Sequence, residues 1–154
     1  MLPASKFCIP VRGLTASNGG TQIVGYVDRK GYDFCSIDTY MTTVDAVGNH
    51  PTTFKLGHSD DTYVTNAADL TDFVGSTATS TSSGWVIPDF STTTATDNTV
   101  KMNVDCRAMK RYLHLEIVPV TTQTCWSFAN LFRGKEMPVS TTEVNVLAVV
   151  NGTV

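Results

Sequence analysis

Lys110-Arg111-Tyr112-Leu113-His114-Leu115-Glu116-Ile117-Val118-Pro119 reads as one β-strand bounded at both ends. Side chains along a strand alternate between faces, so Leu113, Leu115 and Ile117 share one side while Tyr112, His114 and Glu116 take the other. Proline has no N–H to give to a ladder, and Pro119 stops the strand. An apolar face backed by a polar one is the pattern of a sheet packed on a core from one side.

The same alternation extends outward. Val100, Met102 and Val104 alternate with Lys101, Asn103 and Asp105 and enter a turn at residues 106–109. Residues 22–27 and 34–42 read as two strands across a loop holding Asp28 and Gly31, and residues 53–59 place Phe54, Leu56 and His58 opposite Lys55 and Ser59. Residues 125–132 and 142–150 supply two more apolar strands, separated by the breaker-rich stretch 133–138. Residues 66–73 read as a short element, either one helical turn capped by Asn66 or an irregular strand. Residues 76–84 and 91–98 are nearly all Ser and Thr and read as surface loops around Trp85-Val86-Ile87-Pro88.

About seven or eight strands result, with no helix long enough for a βαβ crossover. The fold class is therefore all-β, a two-sheet antiparallel β-sandwich or jelly roll. Residues 1–20 show no sustained period and end in breakers, so they read as an extended N-terminal arm or a loose first strand, ahead of a single domain over residues 21–154. Composition agrees: only 16% of residues are charged, against about 25% in a usual soluble domain, and β-branched threonine fills much of the polar surface.

Charge and motifs narrow the function. A net charge of -3 gives no overall basic field, which argues against a nucleic-acid partner. The longest apolar runs are too short to span a bilayer, and residues 1–6 lack a signal peptide's charged and apolar regions, so neither membrane nor export is expected. Cys8, Cys35, Cys106 and Cys125 form no C-x-x-C pair and read as reduced, packed thiols. His58-Ser59-Asp60 has triad letters, but neighbours on a strand point to opposite faces and cannot converge. Asp60-Asp61, with Asp69 and Asp72, suits a hard cation less well than a self-bonded turn. His50, His58 and His114 lack metal-ligand spacing. Trp85, Trp126, Tyr26, Tyr32, Tyr40 and Tyr112 are expected to fill the core rather than form a stacking platform. The sequon Asn151-Gly152-Thr153 carries no function without export. No catalytic residue, metal or cofactor is expected.

Residues 23–32 leading to Gly31-Tyr32-Asp33, Lys55-Leu56-Gly57-His58-Ser59-Asp60-Asp61, and Lys110-Arg111-Tyr112-Leu113-His114-Leu115, followed by a last apolar strand, together resemble a group of small tailed-bacteriophage virion proteins. His114 stands where that group often has a second Arg. The resemblance implies a head decoration, or cement, protein that is made in the host cytoplasm, binds the major capsid protein on the outer face of the capsid and assembles as a homotrimer. On that reading the arm reaches adjacent subunits through Phe7, Ile9, Val11 and Leu14, and removing residues 1–20 is expected to leave a folded domain that no longer attaches. The alternatives are a tail, adaptor or receptor-binding component, and a carbohydrate-binding module built on Trp85.

Overall fold

The computed structural model describes residues 5–16, 21–42, 51–70, 79–80, 84–85, 97–119 and 122–134. Within them lie ten strands: β1 (Ser5–Ala16), β2 (Ile23–Asp28), β3 (Phe34–Thr42), β4 (Thr53–Ser59), β5 (Ala68–Asp69), β6 (Thr79–Ser80), β7 (Gly84–Trp85), β8 (Asp97–Asp105), β9 (Tyr112–Val118) and β10 (Gln123–Phe132). One 3-10 turn, Val64–Asn66, precedes β5.

The strands form two facing sheets, ordered β1-β10-β3-β8 and β2-β9-β4-β7-β6, with β5 on the side of β4. β1 pairs β10, β2 pairs β9 and β3 pairs β8, all antiparallel. β4 meets β7 through a single parallel bridge, Phe54 opposite Gly84. First with last, second with next to last: this is one long hairpin wound around a core, the jelly-roll form of a sandwich. Each of β2 to β4 changes sheet from its predecessor, and so do β8, β9 and β10.

The expected alternation is the wall of the core. Leu113, Leu115 and Ile117 of β9 face inward with Phe54 and Leu56 of β4 and Ile23 and Val27 of β2. Cys35, Ile37 and Met41 of β3, Val100, Met102 and Val104 of β8, and Leu131 of β10 meet them from the other sheet. Burying each large side chain is worth about 1.5–3 kcal/mol, so the clustered faces are what hold the sheets together. Inside, Thr39 and Ser127 sit opposite each other and their hydroxyls bond at 3.0 Å, so neither polar group is stranded.

Three expectations change. β8 begins at Asp97, so the Thr-rich stretch up to 98 ends inside a strand. Of residues 66–73, Asn66 ends the 3-10 turn rather than capping a helical one, its side-chain amide donating to Asp61 Oδ2 at 2.8 Å, Ala68–Asp69 is the two-residue strand β5, and 71–73 lie outside the described residues. The third concerns residues 1–20, where the first-strand alternative, not the arm, is what the structure has. Over Ser5–Ala16 the segment is an edge strand of the first sheet, in register from Ser5 opposite Phe132 to Ala16 opposite Gln123. Its period is hidden because the register slips twice. Ile9 and Pro10 together oppose Phe128, and Gly13, at φ 59°, is a further inserted residue. Proline suits the bulge because it has no N–H to place in the ladder. The strand predicted at 142–150 lies outside the described residues.

Candidate docking surfaces

The structure separates the four residues assigned to arm contacts. Val11 is fully buried in the core. Phe7 faces away from the core, its ring stacked on Phe128 with centroids 6.1 Å apart. Ile9 lines a cleft beside β2. Leu14 pairs with Cys125 along the ladder. Phe7 and Val11 thus lie on opposite sides of β1, pairing with β10 holds the segment on the body of the domain, and the side chain of Leu14 lies outside the described residues.

Of the aromatic residues expected in the core, Tyr32 packs against it, while Trp126 and Tyr26 are exposed. On β10 the inward positions are Gln123, Cys125, Ser127, Ala129 and Leu131, while Trp126, Phe128 and Phe132 point outward. Small residues on this central strand leave room between the sheets for Ile37, Met41 and Phe54. Phe54 is the one buried aromatic among the described core residues. Trp126 is 40% exposed and stacks nearly parallel on Phe128, with centroids 6.4 Å apart. Tyr40 is opposite Trp126 on the same outer face, and Phe34 is opposite Phe132. On the other sheet Tyr26 is about half exposed and meets Tyr112 edge to face. Trp126 also lies against Gly13, where any Cβ would collide with its indole, so the ring covers the bare backbone of the inserted residue.

The two motif segments at 55–61 and 110–115 meet in space. β4 and β9 are neighbours, with Leu56 opposite Leu115 and Ser59 opposite Tyr112. Ser59 bonds His114 across this pair rather than its chain neighbour His58, with Oγ 2.8 Å from Nε2. Nε2 is also 3.0 Å from the Asp61 carbonyl, which can only accept; the proton therefore sits on Nε2, which donates. Ser59 Oγ donates to the same carbonyl. Ser59 and His114 are 1% and 2% exposed, so the pair acts as a cross-link. Asp61 accepts from the Tyr63 N–H and from Asn66, Asp60 pairs with Lys110 at 3.3 Å, and Asp69 pairs with Lys55 at 3.0 Å. These carboxylates are committed to turns and ion pairs, and Asp72 lies outside the described residues, as do His50 and the side chain of Trp85.

At the β1/β2 edge a cleft of about 620 Å³ is lined by Ile9, Pro10, Val24, Tyr26, Tyr63 and Val64, with Lys6, Asp28 and His114 among its polar walls. β1 and β2 approach so closely here that a Cβ on Gly25 would fall on the Pro10 carbonyl. The four cysteines form no disulfide. Burial pushes Cys106 and Cys125 up to about 11, which keeps these thiols protonated and unreactive near neutrality.

No protein-family model matches the chain, and no curated protein matches its sequence.

Proposed function

We propose that this chain is a virion structural subunit, a cement protein that binds the outer surface of a tailed-phage head and ties neighbouring capsomers together. The outward row Trp126, Phe128 and Phe132 on β10 carries the reading. The core closes without these rings, and aromatic side chains on an outer sheet face are the residue types enriched where proteins dock. The resemblance at 55–61 and 110–115 adds the virion context, and the pairing of those segments assigns them to the scaffold. The partner is the major capsid protein, and the assembly is a homotrimer on the head exterior.

The test is sedimentation of purified heads lacking the chain with added protein. The wild type is expected to bind saturably, and Phe128→Thr/Phe132→Thr, which keeps β propensity, to bind at least about tenfold more weakly. Binding only to tails, or equal binding by the variant, would overturn the proposal. The exposed Trp126 ring favours a second reading, a carbohydrate-binding module; glycan-array binding abolished by Trp126→Ala would select it.

A further inference from the structure

The cations of this chain are distributed unevenly. The connection from β2 to β3 carries Arg29 and Lys30, the connection from β8 to β9 carries Arg107, Lys110 and Arg111, and Arg133 follows β10. Hydrogen bonds tie these connections into one end of the sandwich: Arg29 N–H to Arg111 O, Asp33 N–H to Phe132 O, and Cys106 N–H to Asp33 O. With Lys6 at the start of β1, seven of the eleven Lys and Arg residues gather there. Asp28, Asp33, Asp60, Asp61 and Asp105 share the end, leaving it at +2 while the rest of the chain carries -5.

Three of the cations are neutralised in place, Arg107 by Asp105, Lys110 by Asp60 and Arg111 by Asp28. Among the described residues, no carboxylate forms an ion pair with Arg29, Lys30 or Arg133. Two of these three are held still. Arg29 Nε donates to the Lys110 carbonyl at 2.8 Å, and its terminal nitrogens make no hydrogen bond among the described residues. Arg133 lies 5.4 Å from the centroid of the Phe34 ring, which also carries Arg107 at 5.3 Å. A guanidinium already fixed in place loses little freedom when it binds.

We propose that this end docks a carboxylate-rich segment of a partner protein, with Arg29, Lys30 and Arg133 as the receiving cations. Planar guanidinium groups match carboxylates two bonds at a time. The interleaved aspartates disfavour a nucleic-acid backbone, which needs a continuous track of unneutralised cations. The surface adjoins the Phe132 end of the β10 aromatic row, because Arg133 packs on Phe34, and the inference stands whether or not the partner is a capsid.

The test is fluorescence anisotropy of labelled poly-L-glutamate with the full chain at about 20 mM salt and again near 0.15 M, where screening sets in within about 8 Å. The wild type is expected to bind, more weakly at the higher salt, and Arg29→Gln/Lys30→Gln/Arg133→Gln to lose about tenfold in affinity, while Lys101→Gln on β8 changes nothing. Arg133→Gln alone, on an exposed residue that makes no hydrogen bond among the described residues, is expected to lose about threefold and covers the case of a triple variant that does not fold. No binding by the wild type, equal binding by the cation variants, or tighter binding of a single-stranded oligonucleotide than of poly-L-glutamate would each overturn the proposal.

Discussion

Ser59 Oγ and His114 Nε2 lie 2.8 Å apart although 55 residues separate them, and both residues are almost fully enclosed. The bond joins β4 to β9 on the side away from the core, beneath the turn at residues 61–66. Ser59→Ala is expected to cost about 1–3 kcal/mol, the penalty for loosening a buried polar network. Urea unfolding of Ser59→Ala, His114→Gln and the double variant should give a coupling energy above about 0.5 kcal/mol. Simple additivity would mean that the two side chains act independently.

Removal of residues 1–16 takes away a whole edge strand. Val11 leaves the core, and the backbone groups of β10 that pair β1 lose their partners. A shortened chain is therefore expected to lose its cooperative thermal transition, rather than to persist as a folded domain that merely fails to attach. Calorimetry of the truncated protein decides between the two.

Two glycines separate crowding from backbone strain. A Cβ at Gly25 meets the Pro10 carbonyl, so Gly25→Ala has to push β1 from β2 at about 1–3 kcal/mol. Gly31, at φ 84°, has open space around it, and Gly31→Ala carries only the left-handed backbone penalty of about 1 kcal/mol. Equal losses in chemical unfolding would refute the close β1/β2 approach.

His58 gives a pH dependence whose sign is fixed. Burial lowers its pKa first, then Lys110 and Arg29 lower it further against an opposing pull from Asp60. The folded state thus binds the proton less readily than the unfolded chain. The stability this provides is complete above the ordinary histidine value of about 6.5 and is lost as pH falls from there through the lowered folded value. His58→Gln should reduce the fall in urea midpoint between pH 7.5 and 5.5; parallel pH profiles would exclude the effect.

The homotrimer is checked by light scattering at micromolar concentration, where three times the 16.6 kDa chain mass is expected. A monomer mass across that range would remove the trimer from the proposal.

The sequence was most readable where strand and face coincide. β3 and β4 have the expected limits, and β9 keeps its alternating part, Tyr112–Val118, because large apolar residues alternate with polar ones along them. β10 misleads, because its outward Trp126, Phe128 and Phe132 are larger than its inward Cys125, Ser127 and Ala129, so size alone points the strand the wrong way. β1 is legible only as an arm or a loose first strand, because the bulges at Ile9-Pro10 and Gly13 shift its phase twice within twelve residues. The cationic end was not legible at all. Its members are scattered over four separated stretches, and a net charge of -3 averages them away.

Pairing the first of the described strands with the last sets the order in which they can assemble. Ser5 finds its partner only when Phe132 has left the ribosome, so β1 stays an unpaired template until residues 123–132 emerge, and β10 arrives with one edge waiting for it. Closing that loop late is slow, on the scale of milliseconds to seconds for sheets dominated by distant pairings. During that interval, β1 of one copy can seat on β10 of another. The step that completes the monomer is thus also the step at which crowded chains can exchange strands.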